Sequence, residues 1–517
     1  MFAKRYSPNE LIDIIAAPSY SPEIVNYVKK VASDPFLSQF LSQKPKLGIT
    51  GTIAKDYVEA DTKDAVPYVS TKQVKGLHAY IDDAKYISKE ADIEWAKCRV
   101  EDGDIIINKS GNVGAAAVLC CAPYKYANSV SDIINIKLAK NSAIDRDYLV
   151  VYLNSPYGQK QLQRLSGGAI FSHVSLHAIP DIRVFHPDIK AQKYIGDKVR
   201  QAEQLRAWAK RLDSFIDDRF SFLVQDLPSP KKHFSVKPED LVPYRINPKQ
   251  YDPIVTGAIS KAEKSGVLLE RLEGLIDARG IAGGATPKGA EYKTSGVLFC
   301  RVQNVKKLAL DLSDAVYITK DDDESLKRSR CESYDVVLTI TGYPGTASLV
   351  IEEDLPVNLN QHSVRFGCAE SIKPGYLCAA VNSSFVKLQV ERASIGGTRD
   401  ALDYPSVANL LIPRLHASLE DAIDRAAISY VRAIKASKKL TDSAKTLVEA
   451  LIEGQLSERQ LIQAQQALDD GDNSLDQAIL SKLSNAGYAI DGATPLFSDI
   501  DELYRLLESA AQAEIEG

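Results

Sequence analysis

The sequence is poor in several features that would otherwise assign it a class. No apolar run reaches the roughly eighteen residues of a membrane span, and the opening stretch MFAKRYSPNELIDII lacks the apolar core of a signal peptide. Both absences predict a cytoplasmic chain with no membrane partner. Its seven cysteines are odd in number and form no C-x-x-C pair, which leaves neither a disulfide framework nor a zinc site. Cys120 and Cys121 sit in an apolar run and read as core. The seven histidines are scattered. His173 and His177 come nearest to a ligand pair, and no third ligand accompanies them, so no metal is expected. No Gly-x4-Gly-Lys-Ser/Thr cradle occurs, which argues against ATP hydrolysis. A basic surplus is missing too: 63 Lys and Arg face 68 Asp and Glu, for a net charge of −5. A chain that grips nucleic acid unaided usually carries the opposite balance. Either its cations are gathered on one face or a partner supplies phosphate contacts, and the tail from about Asp469 adds much of the acid.

What is present is length and self-similarity. At 517 residues, 45% hydrophobic and 25% charged, the chain is a globular protein too long for one ordinary core. Asp104–Gly114 (DIIINKSGNVG) recurs as Asp335–Gly345 (DVVLTITGYPG), 231 residues later. That offset also aligns Tyr86–Lys89 with Tyr317–Lys320 and Tyr68–Val74 with Phe299–Val305. Further on it slips by a few residues, as loops allow. Tyr148-Leu149 and Asn154-Ser155 then match Tyr376-Leu377 and Asn382-Ser383, and Gly167-Gly168 matches Gly396-Gly397. Even the entries correspond, Arg5-Tyr6-Ser7-Pro8 against Arg245-Ile246-Asn247-Pro248. The chain reads as a duplicated unit.

Within each unit, short β-rich runs (Asp104–Asn108, Ser333–Ile340) end in glycines, which suggests strands that turn tightly. Residues 148–163 and 376–391 have helical spacing. Each unit closes on a longer helical stretch, Asp188–Phe220 and Leu419–Ile452, with apolar residues every three or four positions. Two such helices can pair with one another; the alternative is that each packs on its own domain. Pro228, Pro230 and Pro238 mark the link into the second unit.

Two motifs invite a catalytic reading and fail. Asn154-Ser155-Pro156-Tyr157 has the look of an adenine-holding Asn-Pro-Pro-Tyr loop. Its second residue is serine, however, the repeat has Asn382-Ser383-Ser384-Phe385, and no glycine-rich methyl-donor fingerprint precedes it. Pro180-Asp181 with Asp188-Ile189-Lys190 mimics a magnesium nuclease set, but the second unit has no matching residues and an ordinary turn explains it. The expected catalytic, metal and cofactor sets are all empty.

The ordered pair of patterns resembles the specificity subunit of type I restriction-modification systems. It is carried by the Gly-containing strand-end loops (Lys109–Gly114, Thr341–Gly345), by Val357–His362, and by Gly396-Gly397-Thr398-Arg399-Asp400 ahead of Ile412-Pro413, and it extends to about Gln455. The resemblance implies an α+β chain. Two tandem target-recognition domains of mixed α/β structure with twisted sheets (1–186 and 227–417) would be separated and followed by long paired spacer helices (187–226 and 418–456). A helical C-terminal extension (457–517) departs from the pattern, with Ser457 and Ser474 as candidate N-caps. The implied function is non-catalytic: to bind double-stranded DNA at a bipartite target and position two adenine methyltransferase subunits, joined by motor-nuclease subunits when restriction is carried out. A DNA-binding adaptor of another defence complex, and a methyltransferase or nuclease in its own right, stay open as alternatives.

Base readout needs paired donors and acceptors, while phosphate contact needs cations or amides. Strand-end loops that carry such residues in both repeats are therefore the candidates. In the first unit these are Lys72, Gln73, Lys75, Lys109, Ser110, Asn112 and Phe171-Ser172-His173. In the second they are Arg301, Gln303, Asn304, Thr341, Tyr343, Asn360, Gln361, His362, Thr398 and Arg399. The repeats differ here, with Lys109 facing Ile340, Asn112 facing Tyr343 and Ser70 facing Arg301, so the two units should read different half-sites. A helix of about 33 residues spans roughly 50 Å, on the order of 15 base pairs, which would leave roughly six to ten unread pairs between half-sites.

Overall fold

Ile105, Ile106 and Ile107 are apolar in sequence and fully buried in space, which requires a strand covered on both faces. The same holds for Val336, Val337 and Leu338. In the computed structural model these two strands are the centres of two equivalent sheets. The structure describes residues 17–516 except 168–172, 228–232, 239–240, 242–250, 288, 290 and 395–399. The chain divides into two compact units, residues 1–204 with 436–509 and residues 205–435 with 510–517.

In the first unit a five-stranded sheet runs in the order Lys46–Leu47, Ile133–Ile136, Ile105–Asn108, Ala116–Cys120, His78–Tyr80, with only the last pair parallel. A second sheet runs Tyr57–Val58, Lys85–Ile87, Val66–Val69, Tyr126–Ser129, Val100–Glu101, and its third and fourth strands are parallel. The second unit has a five-stranded sheet of the same order: Ala282–Gly283, Ser363–Phe366, Val336–Thr339, Ala347–Leu349, Leu308–Ala309, again with the last pair parallel. A three-stranded sheet accompanies it, Val316–Ile318, Val297–Cys300, Val357–Leu359, its parallel pair in the equivalent place. Even the register is kept, with Ile105 opposite Val118 and Val336 opposite Leu349.

The duplication extends to buried polar atoms, which must find partners inside the fold. Asn154 Nδ2 donates to the Ala116 carbonyl and its Oδ1 accepts from the Ala116 amide; Asn382 does the same to Ala347. Gln161 makes a two-bond clamp on the Arg183 backbone, and Gln389 repeats it on Leu411. The Tyr148 hydroxyl donates to the Phe185 carbonyl, and that of Tyr376 to the Pro413 carbonyl. Asp92 holds Asn128 and Arg99, as Asp323 holds Asn358 and Arg330. Gly48 and Gly284 both sit where an added Cβ would strike backbone oxygens, of Ser129 and Val130 or of Leu359 and Asn360.

The helical spacing over 148–163 and 376–391 resolves into two helices in each unit, Arg146–Asn154 then Pro156–Arg164, and Pro374–Asn382 then Ser384–Ala393. Ser155 and Ser383 interrupt the runs. Each adopts an extended N-cap conformation and accepts from the amide three residues on. Pro156 then fits the first position of a new helix. The long helices cover Ile189–Ser221 and Ala417–Ile452. In the second unit Ile216 and Phe220 of one, and Ile423, Ala427 and Val431 of the other, belong to one apolar cluster with the sheet residues Val336, Leu338 and Val364.

The C-terminal segment forms helices Glu458–Asp469, Ser474–Leu480 and Ile500–Glu516, with a short hairpin of Leu483–Ser484 against Gly487–Tyr488. Ser457 and Gln460 form the expected capping box. Ser474 departs from expectation: Asn473 takes the N-cap place and Ser474 is the first helical residue, its amide donating to Asp472 Oδ1. All seven cysteines are free, and Cys98, Cys121, Cys300, Cys331 and Cys378 are buried. Burial pushes the Cys121 thiol up to about 12, with the Asp102 carboxylate adding to it. No described helix is long and apolar enough to cross a membrane.

Candidate nucleic-acid interface

Strand Ile105–Asn108 runs straight into a six-residue loop closed by two glycines. Gly111 and Gly114 have φ of +73° and +84°, and Gly342 and Gly345 have +86° and +95°, in the left-handed region that disfavours side chains. In both loops the second glycine amide bonds back to the last strand residue, Gly114 to Asn108 and Gly345 to Thr339. A Cβ there would press on Leu162 or on Val390 of the helix behind. The two loops therefore share their glycine geometry and this closing hydrogen bond, and they carry different residues.

Around this frame the candidate residues gather. In the first unit the Lys109 amide donates to the Asp132 carbonyl and its carbonyl accepts from Val174, next to His173. The Ser110 hydroxyl donates to Asp132 Oδ1 at 2.7 Å. Asn108 Nδ2 reaches the Thr71 carbonyl, tying in the turn that carries Lys72, Gln73 and Lys75. In the second unit the Ile340 amide donates to the His362 carbonyl and the Ile340 carbonyl accepts from Leu402. Thr341 bridges Ala401, and the Gly342 amide donates to the Asp400 carbonyl. The Asn360 amide donates to the Cys300 carbonyl, which places Asn360 beside Arg301, and the Thr286 hydroxyl donates to Gln361 Oε1. Each unit thus brings three or more loops to one end of its sheets.

Within each cluster the candidates divide by what their side chains do. Lys72, Lys75, Asn112, His173, Gln303, Tyr343 and Gln361 are exposed, and Lys109, Ser110, Thr341 and His362 are half-buried. Gln73 is engaged in a turn: its Oε1 accepts from the Ser70 amide and hydroxyl, and its Nε2 donates to the Asp83 carbonyl. Asn304 is fully buried, with Oδ1 on the Arg301 amide and Nδ2 on Asp311 and Asp314. Asn360 is buried and accepts from the His362 amide. Arg301 donates to the Asp314 carbonyl, and Lys75 lies 3.9 Å from Asp83. Gln73, Asn304 and Asn360, all candidates for readout, thus have their side chains bonded within turns, and Gln303 Nε2 also donates to Asp314. Phe171, Ser172, Thr398 and Arg399 lie outside the described residues.

Asp132, Thr286 and Tyr404 join the clusters without having been singled out in sequence. Asp132 offers its carbonyl to Lys109 just as His362 does to Ile340, so the repeat alignment held the signal. Tyr404 lies over Gly283, where any side chain would collide with its hydroxyl.

Asn154 has no amide free for a base: Ala116 takes both of its polar atoms, and Val150 accepts as well. Pro180 and Asp181 lie in the turn Leu176–Asp181, and Asp188 accepts from the Lys190 amide at the entry to the long helix. His173 is in a short strand and His177 in that same turn, so they share no helical face. Among the described residues no group of three or more His, Cys, Asp or Glu side chains is placed to hold a metal ion.

The acid of the chain is concentrated. Residues 457–517 hold 12 Asp and Glu against 3 Lys and Arg, so the other residues carry 60 cations against 56 anions, a net +4. The acidic balance therefore belongs to the extension and not to the duplicated units.

The architecture is that of a duplicated mixed α/β protein with several small sheets and long helices. No family model and no curated protein matches the chain. Among solved structures it is similar to the type I restriction-modification S subunit from M. genitalium, at 11% identity over 81% of this chain and 94% of that one, with a TM-score of 0.43. It is similar also to the HsdS subunit from Thermoanaerobacter tengcongensis, at 13% identity over 80% and 98%, with a TM-score of 0.26.

Proposed function

We propose that this chain is a non-catalytic DNA-binding specificity subunit. In this reading residues 1–186 and 227–417 each bind one half of a split target in double-stranded DNA. Residues 187–226 and 418–456 fix the spacing, and 457–517 are an added module. The subunit positions two adenine methyltransferase subunits over the target, joined by motor-nuclease subunits when restriction is carried out.

One observation carries the reading: a single glycine-closed loop frame occurs twice and displays different chemistry each time. Asn112 stands on one frame and Tyr343 at the equivalent place on the other, both exposed. A catalytic centre duplicated in this way would keep its reactive groups, whereas a pair of readers must change theirs to recognise different bases. Lys72, Lys75, Lys109, Ser110, Asn112 and His173 form the first reading set. Gln303, Thr341, Tyr343, Gln361 and His362 form the second, with Gln73, Arg301, Asn304 and Asn360 shaping the turns beneath.

Purification of the tagged full chain from its host tests the assembly. The expected result is co-purification of an adenine methyltransferase at about two copies per chain, together with sequence-dependent binding to duplex DNA. Methyl transfer or strand cleavage by the purified chain alone would contradict the non-catalytic assignment.

A further inference from the structure

Tyr343 is the most exposed tyrosine of the described residues at 85%, yet it sits on one of the most constrained loops. Its carbonyl accepts from the Thr339 hydroxyl at 2.7 Å, and that hydroxyl also accepts from the Thr346 amide. On one side, the amide of Gly342 is held by Asp400. On the other, Pro344 restricts Tyr343 to extended backbone. The ring is therefore presented with its main chain already ordered, so contact would cost little further backbone entropy. Among the described residues Tyr343 makes no ring contact and no hydroxyl hydrogen bond.

We propose that Tyr343 reads DNA by stacking on or between bases at one step of its half-site, while Asn112, on the equivalent frame, reads a base edge through its amide. The inference rests on the DNA-reading function proposed above and adds the chemistry of each half. An aromatic ring finds a π-face on every base and discriminates by how easily the step opens. Pyrimidine–purine steps unstack most readily, so the Tyr343 half should prefer such a step over neighbours of identical hydrogen-bonding pattern. An amide at position 112 offers a paired donor and acceptor, the complement of an adenine edge in the major groove. Tyr343 and Asn112 are both exposed loop residues, so replacing either should not disturb folding.

The test is selection of bound sequences from a random duplex library by the full chain and by its Tyr343→Ala, Tyr343→Phe and Asn112→Ala variants. The wild type should enrich a split motif. Tyr343→Ala should keep one half intact and lose the preference at one or two adjacent positions of the other, binding roughly tenfold or more weakly. Tyr343→Phe should keep the motif, because the ring and not the hydroxyl is read. Asn112→Ala should relax an adenine position in the half that Tyr343→Ala spares. An unchanged motif and affinity for Tyr343→Ala would overturn the stacking role while leaving the DNA-reading function standing. Failure of the wild type to enrich any motif would overturn that function, and this inference with it.

Discussion

Lys198 and Asp476 form an ion pair of 2.7 Å in which both side chains are out of solvent, at 0% and 1% exposure. Tyr194 and Tyr504 donate their hydroxyls to the same carboxylate. Lys198 lies on the first long helix and Asp476 in the C-terminal extension, so within the first unit the extension is fastened to that helix by a buried ion pair. Lys193 with Asp469 and the Asp188 amide with Glu458 extend the same seam at the surface.

A buried pair is costly to break and much cheaper to replace whole. Lys198→Met or Asp476→Leu alone should destabilise the first unit by about 3–5 kcal/mol, because each leaves a buried charge unanswered. The double variant should recover most of that loss. Chemical denaturation of the four proteins measures it, and equal, additive losses would show that the pair is not coupled.

The same carboxylate sets a pH dependence. Burial pushes Asp476 up, but the Lys198 charge and the hydrogen bonds from Lys198, Tyr194 and Tyr504 outweigh it and hold the group below its usual value of 3.8. A carboxylate lowered in the folded state adds stability that is present above its unfolded pKa and is lost as pH falls through the folded one. Stability should therefore drop below about pH 4, and the drop should be smaller in the double variant. A thermal-melting series from pH 7 to 3 reads this directly.

Removing residues 457–517 should not yield a stable, trimmed chain. Tyr194, Val199 and Ala202 are fully buried, while Leu461, Ala464, Leu480 and Ala510 bury the inner faces of the extension. Loss of these groups would leave Tyr194 and the Lys198 charge without their partner Asp476. Aggregation or a markedly lowered melting temperature is expected on truncation after Leu456. A truncated chain that melts like the full one would show the extension to be an independent appendage.

Asn154 and Asn382 should be equally intolerant of change and equally irrelevant to catalysis. Replacing either with Ala leaves a buried amide and carbonyl unpaired, at about 2–4 kcal/mol by the usual cost of such groups. Asn154→Asp should be as harmful as Asn154→Ala, since a carboxylate cannot donate to the Ala116 carbonyl. Urea melts decide it.

The duplication, the two long helices and the glycine-closed loops were legible because each leaves a periodic or repeated trace in the chain. The helix break at Ser155 was not, since the apolar spacing continues across it and only the serine's extended backbone interrupts the run. Nor was the division of labour among polar loop residues. Asn304 and Gln361 are both carboxamides in loops, and only the fold shows that Asn304 closes on Asp311 and Asp314 while Gln361 faces outward. Asp132 was not legible because its contribution is mostly a backbone carbonyl, which sequence does not distinguish: that carbonyl accepts from the Lys109 amide, and its side chain accepts from the Ser110 hydroxyl. The net charge, by contrast, was legible in the chain itself, because the acidic excess falls in residues 457–517.

We propose that two copies of one scaffold read two different half-sites for an adenine methyltransferase. Mapping methylated adenine across the host genome, with and without this gene, tests it most directly. The account predicts that one split motif loses its methylation when the gene is deleted, with two unlike half-sites around a fixed gap of roughly six to ten base pairs. Loss of a continuous motif, or an unchanged methylation map in a host whose methyltransferase is active, would contradict it.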